Sequence, residues 1–322
     1  MDYLYFLQNV RESAPAFVNY FFVFVSEIAL LLGPIFGAVV FWSIEKSAGA
    51  TILLGYAGSN YCNQTVKNIA CIYRPWILDS RLHIDPLAKG SATGYSFPSG
   101  HTTAAAANFL GIGVWQRKKV WVPILMVICT LLVAFSRNWL GAHTLKDVLV
   151  AILISSLFIC ITIYLQSLLN KNPSLDLIFF IAGIVAGIVM LIVFSLKPYP
   201  IDYAEDGSIL VEPKKMIVDC FTAAGMIIGS VTGWFLERRL VKFTMDVSVK
   251  QRILRSVIGL VGFVLIFYGL DPVLRFAGSS IRHFVKYFLV PVWAFFICPL
   301  IFTAIEKNLA AKNEPKAEVK AE

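Results

Sequence analysis

A chain of 322 residues that is 58% apolar and only 15% charged is too oily to form an ordinary water-soluble domain. Its formal net charge of +8 would suit a nucleic-acid binder in a soluble protein, but here the basic residues fall between long apolar runs. There they act as topology signals for a polytopic membrane protein, and no nucleic-acid partner is expected. Residues 1–16 carry Tyr3, Leu4, Phe6, Leu7 and Val10 at helical spacing and read as an interfacial segment before the first span. Asp2, Arg11 and Glu12 interrupt the start, so no cleavable leader is expected.

Apolar runs follow at residues 17–43, 47–66, 101–115, 120–136, 147–166, 174–195, 216–236, 253–271 and 284–304, each near the length a bilayer requires. They predict an all-α polytopic bundle of about nine transmembrane helices. Residues 17–196 would form a core of six spans, 197–215 a polar extracytoplasmic loop, and 216–305 three additional spans. The tail from 306 to 322, rich in Ala, Lys and Glu, is expected to be disordered and cytoplasmic. Glycines at four-residue spacing, Gly33 and Gly37, Gly183 and Gly187, and Gly225, Gly229 and Gly233, predict close helix contacts. Glu27 in the first span and Asp219 near the start of the seventh either line a polar cavity or bond to neighbouring helices. Cys129, Cys160, Cys220 and Cys298 fall inside spans and read as small buried hydrophobes.

Three polar clusters stand out between Lys67 and Asp147. Lys67 and Arg74 are seven residues apart, which predicts that they project from one helix face before Pro75 ends the helix. A mobile ammonium beside a planar guanidinium suits a tetrahedral dianion; a basic helix end snorkelling to headgroups is the plainer alternative. Pro98-Ser99-Gly100-His101 precedes a helical run, so Ser99 and the Gly100 amide sit at a helix N-terminus that attracts anions, with His101 at its edge to protonate a leaving oxygen. In isolation this cluster reads equally as a serine cap with an incidental histidine. His143 and Asp147 are four apart, so on a helix the carboxylate fixes the imidazole tautomer and leaves the other ring nitrogen free to attack phosphorus. Arg137 supplies a third cation beside Ser136. A metal site is the alternative for His143 and Asp147, but no H-E-x-x-H or paired-Cys motif provides a ligand set, and no metal or other cofactor is expected. His83 and His283 belong to no cluster.

With these residues in view, the chain resembles the type-2 phosphatidate phosphatase superfamily, whose signature is K-x6-R-P, then P-S-G-H, then S-R-x5-H-x3-D. Lys67, Arg74, Pro75, Pro98, Ser99, Gly100, His101, Ser136, Arg137, His143 and Asp147 match every fixed position in order. The resemblance implies a metal-independent phosphoric monoester or pyrophosphate hydrolase in which His143 is the nucleophile, Asp147 its partner and His101 the acid. Lys67, Arg74, Ser99, Gly100 and Arg137 would bind phosphate. The expected partners are a lipid phosphate substrate and the surrounding membrane lipids; a soluble sugar phosphate, or a catalytically silent lipid-binding or transport protein on the same scaffold, is the alternative. The last three spans are expected to lie outside the resemblance.

The same clusters fall at one end of an alternating helical path, and 15 of the 28 Lys and Arg residues fall at the other. The short loops at 117–119 and 238–255 concentrate these charges beside span ends, so they are expected to be cytoplasmic. The site would then face the extracytoplasmic side, in a bacterial cytoplasmic membrane.

Overall fold

The computed structural model describes residues 1–313, and those residues contain helices and no strands, apart from one isolated bridge between Tyr203 and Ile209. In chain order the principal helices are α1 (Asp2–Ser13), α2 (Ala16–Ser43), α3 (Lys46–Ala70), α4 (Gly100–Trp115), α5 (Trp121–Trp139), α6 (Leu145–Lys171), α7 (Asp176–Leu196), α8 (Pro213–Leu236), α9 (Val249–Val273), α10 (Gly278–Val292) and α11 (Cys298–Asn313). One-turn helices at Pro75–Leu78 and Pro86–Lys89 interrupt the segment between α3 and α4. Single π-helical turns, Glu237–Val241 and Trp293–Ile297, extend α8 and join α10 to α11.

Every apolar run expected from the sequence is helical, but among the described residues seven stretches are long and apolar enough to cross a membrane. The two that fall short are α3, through its polar content, and α4, with only 16 residues. Both lie inside the bundle: α3 packs against α2, α4, α6 and α8, and α4 against α2, α3, α5 and α6. A helix shielded by other helices has no need of an oily exterior, so α3 can bury Thr51, Ser59, Asn63, Lys67 and Asn68. Helix α4 has 16 residues, roughly 24 Å of rise, and buries Ala104, Ala105, Ala106 and Ala107 where small side chains admit close neighbours. The outer helices show the opposite pattern. Phe17 and Phe24 on α2, Leu153 and Leu157 on α6, and Val261 and Leu265 on α9 are exposed, as a lipid solvent permits.

The glycine spacings mark real contacts. A methyl group on Gly229 would lie 2.3 Å from the Phe288 carbonyl oxygen, and one on Gly225 2.5 Å from that of Phe284, so α8 and α10 touch backbone to backbone. Gly183 and Gly187 likewise let α7 close on Val231 and Ile228 of α8. The last helices are fastened to the first by an aromatic cluster of Phe41, Trp42, Trp234, Phe243, Phe295 and Phe302, in which the Trp42 indole donates to the Ala294 carbonyl at 2.7 Å. Helix α1 is held more tightly than an interfacial segment requires. Its Arg11 is buried and donates to the carbonyls of Trp139 and His83, at 3.0 and 2.6 Å. Helix α11 continues to Asn313, past the boundary at which a disordered tail was expected; the remainder of that tail, 314–322, lies outside the described residues. All six cysteines are free.

Candidate active site

The turns that end α3 and α5 and begin α4 and α6 meet at one end of the bundle. Lys67 occupies the last turn of α3, is buried, and donates to the Tyr95 carbonyl at 3.3 Å. Arg74 does not share its helix face, contrary to the expectation from spacing. The helix ends at Ala70, Cys71 takes a left-handed conformation (φ 48°), and Arg74 is extended (φ −69°, ψ 153°). Pro75 excludes the residue before it from helical geometry, so the break falls ahead of Arg74 rather than after it. The two cations converge nonetheless, because the guanidinium folds back: Nε donates to Gly94 O (3.0 Å), Nη2 to Thr93 O (2.9 Å) and Nη1 to Ala142 O (2.9 Å). Arg74 thereby ties the loop before α4 to the turn before α6.

Ser99 caps α4, its oxygen accepting from the Thr102 amide at 3.4 Å and the Thr102 hydroxyl at 3.0 Å. Both contacts use the oxygen as acceptor, which leaves the Ser99 proton free to donate to an anion. A Cβ built on Gly100 meets nothing within 4 Å, so its backbone borders open space. The Ser99 amide donates to the Asp147 carbonyl at 3.1 Å, docking the start of α4 on the start of α6. His101, in the first turn of α4, places Nε2 3.2 Å from Glu27 Oε1 on α2.

Arg137, in the last turn of α5, is fully buried. Its Nη1 donates to Ser26 Oγ at 3.1 Å, while Nε and Nη2 have no hydrogen-bond partner. Buried guanidinium donors are costly to leave unpaired, and an anion is the group that satisfies them.

His143 precedes α6 rather than lying on it, since Thr144 is the cap and the helix begins at Leu145. The contact with Asp147 survives for a different reason than helical spacing. Asp147 is the acidic member of a capping box, so its carboxylate turns back to accept from the Thr144 amide at 2.8 Å and lies 3.3 Å from His143 Nδ1. Ser96 donates to the same carboxylate oxygen at 2.6 Å. Asn138 holds the His143 carbonyl at 2.8 Å. With Nδ1–H directed at Asp147, Nε2 carries the lone pair, and Arg74 Nη1 donates to it at 2.8 Å. Burial and the Arg74 charge push the His143 pKa well below its ordinary value, against the pull of Asp147, so the imidazole is neutral at physiological pH.

The expected residues Lys67, Arg74, Ser99, Gly100, His101, Arg137, His143 and Asp147 are therefore gathered at one bundle end, with three cations and a backbone turn around a neutral imidazole. Ser96, Ser26 and Asn138 belong to this constellation and went unmarked, because nothing in their sequence context separates them from structural polar residues. Glu27 did carry a signal, a carboxylate inside an apolar span, but nothing in the sequence pairs it with His101. His83 and His283 stay apart from it; the His83 amide is bound by Gln8 of α1 at 2.7 Å.

An all-helical membrane bundle with a buried histidine, carboxylate and guanidinium centre defines the class. Residues 48–171 match the model of the PAP2 superfamily, residues 221–312 match that of the PAP2 superfamily phosphatase transmembrane extension, and the chain belongs to that superfamily. The second match corrects the expectation that the last three spans lie outside the resemblance. Sphingosine-1-phosphate phosphatase 2 of Mus musculus is 23% identical over 191 residues, 56% of this chain and 53% of that protein. Undecaprenyl-diphosphatase of Sulfolobus acidocaldarius is 23% identical over 134 residues, 42% of this chain and 63% of that protein. Phosphatidylglycerophosphatase B of Bacillus subtilis is 30% identical over 132 residues, 38% of this chain and 61% of that protein. The matched regions thus span between half and two thirds of the length of these relatives, and no solved structure gives a significant match.

Proposed function

We propose that the chain is an integral-membrane phosphatase that hydrolyses a lipid phosphate or lipid pyrophosphate through a phosphohistidine at His143. The observation that carries this reading is the pairing of His143, with Nδ1 facing Asp147 and Nε2 facing Arg74. An entering phosphoryl group takes Arg74 away from Nε2 and onto its own oxygens. Arg137, through Nε and Nη2, and Lys67 complete the cation set, and Ser99 and the Gly100 amide supply further donors.

Nε2 then attacks phosphorus while the bond to the leaving oxygen breaks, and His101 gives that oxygen a proton from Nδ1, its Nε2–H remaining on Glu27. Asp147 stabilises the positive charge that forms on the His143 ring. In the second step water attacks the phosphohistidine, His101 takes its proton, the P–N bond breaks and phosphate departs. Splitting one displacement in two is the advantage of a nucleophilic imidazole. Three fixed cations can neutralise the phosphoryl oxygens without a metal, and among the described residues no group of three His, Cys, Asp or Glu side chains is arranged to hold one.

The lipid assignment rests on the activities for which the relatives are named and on the site's position at the ends of spans. A headgroup can reach His143 from the bilayer surface while its tail stays among apolar helices. Phosphate release by the detergent-purified chain from a sphingoid phosphate, a polyprenyl diphosphate, phosphatidate and glucose 6-phosphate tests the reading. Far higher kcat/KM for the lipids is expected; a preference for glucose 6-phosphate would move the assignment to soluble sugar phosphates.

A further inference from the structure

A cavity of about 490 Å³ opens at the end of the bundle remote from His143. Lys46, which lines it, begins α3, whereas Lys67 lies in the last turn of the same helix; the intervening residues at ~1.5 Å each separate the two ends by roughly 30 Å. Its walls carry four cations, Lys46, Arg238, Arg239 and Lys242, against two carboxylates, Asp176 and Glu237. Asp176 serves two arginines, lying 3.0 Å from Arg238 Nε and 3.7 Å from Arg239 Nε. Lys46 occupies only Oε1 of Glu237, at 2.5 Å. The positive charge is therefore in excess, and it is accompanied by the dipole of α3, whose first turn opens on the cavity at Ser47.

A second observation narrows the ligand. Glu237 is fully buried, yet its Oε2 has no hydrogen-bond partner. A bare anion would satisfy the arginines and leave that oxygen unmatched, whereas a group carrying both an anion and a donor satisfies both. Leu177 and Ile178, next to Asp176, and Leu240, next to Arg239, are exposed apolar residues flanking the charged walls. Acyl chains fit there.

We propose that this cavity binds a membrane phospholipid whose phosphate stands beside a hydrogen-bond donor, a hydroxyl or an ammonium, with the phosphate on Arg239 and Lys242 and the donor on Glu237 Oε2. Basic pockets between spans at a membrane face suit phosphate headgroups. The same phosphate chemistry exists in soluble form, so the test separates the two sources.

Native mass spectrometry of the purified chain, titrated with phosphatidylethanolamine, phosphatidylglycerol and phosphatidylcholine, provides the measurement. The first two should be retained about tenfold better than phosphatidylcholine, whose quaternary ammonium has no N–H to give Glu237. Replacing both Arg239→Ala and Lys242→Ala, at the outer edge of the cavity, should lower retention by about tenfold. Glu237→Gln should narrow the gap between phosphatidylethanolamine and phosphatidylcholine. Should that variant fail to fold, the double substitution decides alone. Equal retention of all three lipids, or retention by the double variant equal to wild type, overturns the proposal. Displacement of lipid by equimolar inorganic phosphate overturns the lipid source in favour of a soluble one. Turnover is not read, so either outcome is independent of the chemistry assigned to His143.

Discussion

Glu27 of the first long helix reaches the start of α4, where its Oε1 stands 3.2 Å from His101 Nε2. The pair joins a helix outside the matched 48–171 region to the proposed acid. A carboxylate on one ring nitrogen orients the imidazole and supports its charged form against burial and the Arg137 charge, which lower its pKa, so the other nitrogen can deliver a proton. Glu27→Gln keeps the shape and removes that charge. It should lower kcat about tenfold for alkyl phosphates and much less for p-nitrophenyl phosphate, whose leaving group needs no proton. Equal losses for both substrates would reduce Glu27 to a packing role.

His143→Ala should abolish detectable phosphate release, because it removes the nucleophile that faces the phosphate-binding cations. Asp147→Asn should leave weak activity, since the nucleophile remains and only its orientation and charge partner are lost. Ser96→Ala removes a 2.6 Å donor to Asp147 and should cost less than Asp147→Asn, in kcat rather than KM. Rapid quench with radiolabelled substrate should trap an acid-labile, base-stable phosphoprotein in wild type. Its absence alongside normal turnover would favour direct attack by water.

The acid limb of activity follows from His143. Its pKa is depressed in the folded protein, so the neutral imidazole persists as pH falls below the ordinary histidine value of 6.5. Burial is the first cause and the Arg74 guanidinium the second. The acid limb of kcat/KM should therefore lie below pH 6.5, measured with an aryl phosphate bearing electron-withdrawing groups, whose own ionisation is already complete at lower pH. Arg74→Gln removes a positive neighbour and should move the limb upward while raising KM. A wild-type limb above pH 6.5 would contradict a neutral resting His143.

How far the sequence alone reaches can be argued residue by residue. The spacing of Lys67, Arg74, Ser99, His101, Arg137, His143 and Asp147 was legible because it repeats a signature, and the helical content because apolar runs of span length have few other solutions. The local geometry was less so. Arg74 and His143 both lie off the helices on which spacing put them, one because Cys71 breaks α3 early, the other because Thr144 caps α6 late. In each case another contact, the long-range one of Arg74 to Ala142 and the local capping box of Asp147 with Thr144, restores the proximity that periodicity assigned to a helix face. The pairing of Glu27 with His101 crosses 74 residues of sequence, and no local pattern encodes such a contact. The spans at α3 and α4 were the ambiguous ones because the run at 101–115 is short and that at 47–66 only moderately apolar, as a helix shielded from lipid can be.

Sidedness is open to direct test, and the structure sharpens the choice of probes. Counted with both α3 and α4 or with neither, the crossings are odd in number, which predicts that the N-terminus and the end of α11 lie on opposite faces. Arg117, Lys118 and Lys119 between α4 and α5, and Arg238, Arg239 and Lys242 after α8, cluster at the end away from His143, which predicts that this end is cytoplasmic. Ser248, exposed in the loop before α9, caps that helix, and its loss would cost about 1 kcal/mol, which disfavours it as a labelling site. Asp246, exposed in the same loop, and Ser80, exposed near the site, avoid that problem. In a background with all six cysteines replaced by Ala, Ser80→Cys should react with an impermeant thiol reagent on intact cells and Asp246→Cys only after permeabilisation. The reverse pattern would put His143 on the cytoplasmic face and the lipid-binding cavity outside.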